Sequence, residues 1–202
     1  MGEILTEKIE NQKMKKVTLI IAIILGINNS YSQVTDLEIV TKQNDTLKNV
    51  ELKMNFFSRV ELNYKLQEKL VISDKDGNKK ELLPSEVNSF SFKYEDKNYN
   101  YESLDNKFFA QPIYKNKLKL YRFIKSGYTS INFYIIVRPN SGKISYMEAM
   151  GLSRLISKKV INREITDCPI TIKKVEGKEL KINGEEGVIE LIKDYETNCY
   201  SN

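Results

Sequence analysis

The chain has 202 residues, with 32 Lys plus Arg against 27 Asp plus Glu and a formal charge of +5, and it contains no histidine. So mild a charge excludes a dedicated nucleic-acid binder, whose basic residues would be denser and interleaved with exposed aromatics. The missing histidine excludes Ser-His-Asp, Cys-His and histidine-zinc catalysis. There is also no Ser-x-x-Lys, no glycine-rich phosphate loop and no G-x-S-x-G elbow.

Residues 14 to 33, MKKVTLIIAIILGINNSYSQ, have the layout of an export signal. Lys15 and Lys16 give the basic start, Val17 to Ile27 the apolar middle, and Ser30 and Ser32 the small residues before a cut at Gln33. The apolar run is shorter than the about 20 residues of a spanning helix, so no stable transmembrane anchor is expected after cleavage. No cysteine stands at the cut to take a lipid. Met14, followed by two lysines, reads as the initiator, with Met1 to Lys13 an N-terminal extension. The expected product is exported, to the periplasm, the cell surface or beyond, where ATP and nicotinamide cofactors are scarce. No cofactor is expected. Removing residues 1–32 leaves 170 residues with a net charge of +4, enough for one domain with a real core.

Residues 33–142 read as a β-rich domain, because period-two alternation dominates. Leu37 to Thr41 and Thr46 to Met54 flank a turn at Gln43, Asn44 and Asp45. Val60, Leu62, Tyr64 and Leu66 alternate with polar residues, which predicts a half-buried strand. Leu70 to Ile72 and Lys79 to Leu83 are separated by Asp74 to Asn78. That run begins like a calcium loop, but its glycine falls at position four and Ser85 stands where the bidentate Glu belongs, so a hairpin turn accounts for it and no metal site is expected. Pro84 and Ser85 open a brief turn before Phe90, Phe92 and Tyr94, which should pair with Tyr99 and Tyr101 across a turn at Asp96 to Asn98. Lys117 to Phe123 and Ile131 to Val137 are two further strands, joined through Ser126 and Gly127. The second is apolar at nearly every position, so it is expected to be central and covered on both faces.

Residues 143–202 are expected to form a helical C-terminal segment packed on the sheet. Met147, Met150, Leu152, Leu155 and Ile156 suit a helical stripe. Asp167, Cys168 and Pro169 suit a helix start with Gly177 as its stop, although Ile170 to Ile172 suit a strand equally. Val188, Ile192, Tyr195 and Cys199 recur at helical spacing from about Glu185, with Glu186, Glu190 and Asp194 on the other side. Cys168 and Cys199 form an even, isolated pair, which in an oxidising compartment predicts a disulfide. Two thiolates without histidine make a poor zinc site, and their separation is unlike the C-x-x-C of an oxidoreductase. The fold class is therefore α+β: a mainly antiparallel sheet or partly open small barrel followed by C-terminal helices.

For function, Lys115, Lys117 and Lys119 share one side of the expected strand with Tyr121, an arrangement able to meet an anionic ligand. A solvated face with lysines guarding a sheet edge accounts for the same residues. Twelve tyrosines without tryptophan fit a core and its rim, beside phenylalanine, as well as a sugar-binding face. No pair of Asp and Glu is singled out as a catalytic acid and base, so catalytic residues are unassigned.

The order of short motifs resembles a group of small exported Bacteroidetes proteins of unknown function. The motifs are Ser32-Gln33 at the signal's end, Asp45-Thr46, Pro84 to Phe90 as Pro-x-Glu-Val-x-x-Phe, Leu120-Tyr121, Asp167-Cys168-Pro169, and Tyr195 to Cys199 as Tyr-x-x-x-Cys. In that group glycines often flank the Asp-Thr pair, where this chain has Asn44 and Asn49. The resemblance implies an exported protein of this architecture and supplies no catalytic residue. The expectation is a non-enzymatic binding or accessory protein whose partner is an unknown envelope component, glycan or peptide. The alternatives are a polysaccharide hydrolase using paired carboxylates and a structural envelope protein without a specific ligand.

Overall fold

Alternation of apolar and polar residues carries the chain into a nine-stranded antiparallel sheet. In the computed structural model, which describes residues 34–53, 59–125, 131–150 and 155–200, it is built from β1 (Thr35–Thr41), β2 (Thr46–Leu47), β6 (Val87–Tyr94), β7 (Lys97–Leu104), β8 (Phe108–Lys115), β9 (Lys119–Lys125), β10 (Ile131–Arg138), β11 (Lys143–Met150) and β12 (Leu155–Ile156). Strands β6 to β12 form a continuous meander, and β1 returns to pair with β6, giving the order β12-β11-β10-β9-β8-β7-β6-β1-β2. A second sheet has the order β3-β4-β5, from β3 (Glu51–Leu52), β4 (Leu70–Ser73) and β5 (Lys79–Leu82). The helices are α1 (Arg59–Glu68), α2 (Lys158–Glu164), α3 (Pro169–Glu176) and α4 (Gly184–Cys199). The α+β class is as expected, and the sheet is open rather than closed. The export signal at 14–33 and the Ser126–Gly127 connection lie outside the described residues.

One face of the large sheet carries the core, in two parts. Over β1, β6 and β7 the small sheet contributes Leu70, Ile72 and Leu82, which pack with Ile39, Phe90, Phe92 and Tyr101. Phe90 stacks on Tyr101 at 4.8 Å, and Phe92 on Tyr99 at 5.2 Å. Over β9 to β11 the C-terminal helices contribute Ile161, Ile165, Val175, Val188, Leu191, Ile192 and Tyr195 against Leu120, Tyr134, Ile136 and Met147. Between these parts Leu66 of α1 enters the first cluster. A polar belt also runs under the sheet there. Tyr101 Oη donates to Asn63 Oδ1 at 2.7 Å, Gln111 Nε2 donates to Tyr101 Oη at 3.0 Å, and Arg122 bonds both Gln111 Oε1 and Glu185 Oε2.

Three expectations are corrected. Residues 60–66 are helical, in α1, and not a strand. Glu, Leu, Lys and Gln are good helix formers and no glycine or proline interrupts them, so the period-two pattern there is outvoted by helix propensity and docking. Asn63 and Gln67, four apart, both bond to the sheet, the latter accepting from Ile124 N at 3.2 Å. The sheet also continues beyond residue 142. Residues 143–150 and 155–156 are strands β11 and β12, so the expected helical stripe of Met147, Leu155 and Ile156 belongs to a sheet edge; Leu152 lies outside the described residues. Finally, β10 is interior but less completely covered on its second face: Tyr134, Ile136 and Arg138 are buried on one side, whereas on the other Ile135 is buried but Ile131, Phe133 and Val137 are half-buried.

The turns follow backbone chemistry. Asn44 and Asn49 both have positive φ, at 66° and 61°, the conformation that asparagine tolerates better than other residues with a Cβ. The β6–β7 hairpin turns through Glu95 and Asp96, at φ 47° and 58°, one residue earlier than expected. In the β4–β5 turn, Asp74 Oδ1 accepts from the backbone of Asp76 and Asn78, both at 2.9 Å, so this carboxylate holds the hairpin. Helix α3 starts at Pro169 and stops at Gly177, and α4 runs to Cys199, as expected. Gly187 is needed for close approach: a Cβ there would lie 2.6 Å from the Lys181 carbonyl oxygen.

Candidate functional site

Antiparallel register puts directly paired residues on the same face of a sheet. The face opposite the helices is therefore readable row by row. Glu38 pairs with Ser91 and Ser91 with Asn100, while Val40 pairs with Ser89, Ser89 with Glu102 and Glu102 with Ala110. Further along, Pro112 pairs with Tyr121 and Tyr121 with Ile135. The apolar cluster on this face, Leu104, Ala110, Tyr121 and Ile135 with Phe108, Phe123, Val137 and Ile144 around them, is built from residues of the sheet alone. Tyr146 on the same face is 41% exposed.

Two shallow depressions lie on this face. One, of about 530 Å³, is lined by Glu38, Val40, Ser89, Ser91, Asn100 and Glu102 with residues 112–115 of β8. The second, of about 430 Å³, is lined by Ser89, Glu102, Leu104, Lys119, Tyr121 and Val137 among others. Ser89 and Glu102 belong to both, so Glu102 stands where the two meet.

The four residues proposed for an anionic ligand do not lie along one strand. Lys115 ends β8 and Lys119 begins β9, paired across a hairpin whose turn holds Lys117. The register shift between Pro112 and Tyr114 returns Lys115 to the open face. Lys115, Lys119 and Tyr121 then gather around one carboxylate. Lys115 Nζ is ion-paired with Glu102 Oε1, and Tyr121 Oη donates to Glu102 Oε2 at 2.5 Å. Burial opposes ionisation of Glu102, but the hydrogen bonds from Lys115 and Tyr121 and the charges of Lys115 and Lys119 outweigh it and hold its carboxyl below the usual range. Burial, and then the bond to Glu102, push the Tyr121 phenol well above its ordinary value. Tyr121 is only 2% exposed, so its ring belongs to the sheet and offers no stacking surface. Lys117 faces elsewhere, into a depression shared with Lys193, Glu196 and Thr197 of α4.

Glu102 was not singled out by the sequence. Within β7, KNYNYESL, it is one polar residue among several, and only strand pairing brings Lys115 and Tyr121 to it.

A different cluster ties the C-terminal helices to the sheet. Arg138, 2% exposed, donates to Tyr195 Oη at 2.9 Å, Ser145 Oγ at 2.8 Å and the Glu164 carbonyl at 2.8 Å, and Tyr195 Oη donates to Asp167 Oδ2 at 2.6 Å. Cys168 and Cys199 are joined in a disulfide beside it. Thus Asp167-Cys168 and Tyr195-x-x-x-Cys199 meet through two adjacent ties, one hydrogen bond and one covalent bond.

Of the two carboxylates lining the first depression, Glu102 is engaged by Lys115 and Tyr121, and among the described residues no group of three or more Asp, Glu or Cys is placed to hold a metal ion. No helix among the described residues is long and apolar enough to cross a membrane. Comparison with known proteins gives no match to any family, curated protein or solved structure.

Proposed function

We propose that the chain is an exported, non-enzymatic binding or accessory protein of the bacterial envelope, acting through the open face of its large sheet. The observation that carries this reading is the asymmetry of the sheet. One face is buried under helices and the small sheet, while the other keeps two adjoining depressions lined by short polar side chains. The disulfide fits an oxidising compartment and the export signal read in residues 14–33. The motifs shared with small exported Bacteroidetes proteins fit the same location.

The hydrolase alternative needs one carboxylic acid kept protonated to donate to a leaving group. Glu38 and Glu102 line the same depression, but Glu102 is held ionised by two lysines and a tyrosine, the wrong bias for that role. The test is incubation of residues 33–202 with isolated envelope and its polysaccharides. The chain is expected to co-sediment with the envelope and to release no reducing ends. Release that disappears in Glu102→Gln would replace the binding reading with the hydrolase.

A further inference from the structure

Resting on the binding role proposed above, we infer that the open face takes a neutral, hydroxyl-rich linear glycan lying across the strands, with Ser89, Ser91 and Asn100 as its main polar contacts. Every backbone group inside a sheet is spent in the ladder, so a ligand on the face meets side chains only. A peptide lying there would leave its own amides without backbone partners, whereas sugar hydroxyls both donate and accept and suit serine, asparagine and carboxylate.

The polar groups are available. Among the described residues, the side chains of Ser89, Ser91 and Asn100 make no hydrogen bond within the protein, unlike the polar belt under the other face. Val40 and Pro112 beside them offer apolar ground for the C–H faces of sugar rings. The two depressions span six adjacent strands, from β1 to β10, roughly 24 Å at the usual strand spacing. That length matches a short oligosaccharide better than a single sugar, which would fill only part of it.

Charge selects the neutral class. Lys115 is paired with Glu102, Lys119 also acts on that carboxylate, and Glu38 adds a further negative charge at the rim. An anionic polymer gains little net attraction from such a surface.

The experiment is calorimetric titration of residues 33–202 with malto-, cello-, laminari- and mannohexaose, and with hexagalacturonate as the anionic control, at low and high salt. At least one neutral hexasaccharide is expected to bind, with a Kd that does not change with salt. The Ser91→Ala/Asn100→Ala double variant should weaken it about tenfold, and Lys117→Ala, in the separate depression beside α4, should leave it unchanged. Ser91→Arg, which fills the depression from a half-buried position on the open face, should abolish binding while the circular dichroism spectrum stays native. Binding to hexagalacturonate alone with steep salt dependence, indifference to the Ser91 and Asn100 variants, or no binding to any neutral hexasaccharide overturns the inference. In the last case, continued sedimentation with the envelope without turnover would leave the wider binding role standing.

Discussion

Arg138 shows what one residue does for this protein. A buried guanidinium is tolerated only when its donors are satisfied and its charge is answered. Here Tyr195, Ser145 and the Glu164 carbonyl take the donors, and the Tyr195 ring lies 5.3 Å beneath the charge. Tyr195 passes the influence on to Asp167, its own hydroxyl pushed up to about 12 by burial and by that carboxylate, against the opposing effect of Arg138. Arg138→Ala would strand buried acceptors on β11, α2 and α4 together. We expect a loss of about 3 kcal/mol in urea unfolding, with Arg138→Lys recovering little because an ammonium lacks the planar fork. A loss below about 1 kcal/mol would show that the cluster is ornamental.

Among the elements, α4 is held twice. Its face of Val188, Leu191, Ile192 and Tyr195 is buried in the core, and its last residue is bonded to Cys168. The two holds are separable. Cys168→Ser/Cys199→Ser should keep a native circular dichroism spectrum but lose roughly 3.5 kcal/mol in denaturant, the chain-entropy cost of opening a loop of this length. Loss of the helix in that variant would mean that the bridge, and not the apolar face, docks it. This helix was legible because Val188, Ile192, Tyr195 and Cys199 repeat at a single period. Helix α1 was not, because residues 60–66 alternate by chance while their composition favours a helix, and its sheet-facing residues include Asn63 and Gln67, which no hydrophobic pattern marks. Strand β8 escaped notice for a related reason: Pro112 and the register shift beside it break the alternation of FFAQPIYK. Strands β11 and β12 were mistaken because their methionines and leucines also fit a helical stripe.

At the scale of the molecule, the two faces of the large sheet divide the work. Cover by helices and the small sheet gives one face its core, which leaves the other free to keep short polar side chains and half-buried aromatics. The disulfide pair could be read along the chain, from an even, isolated pair of cysteines and the export signal expected in residues 14–33. The gathering at Glu102 could not, because it is made by pairing of β7, β8 and β9 and not by spacing within any one of them. Lysine footprinting tests the division of faces directly, with residues 33–202 acetylated alone and again while bound to isolated envelope. The account predicts protection at Lys119, on the open face, with unchanged labelling at Lys173 on α3 and Lys193 on α4. Protection confined to Lys173 and Lys193, with Lys119 still reactive, would contradict it.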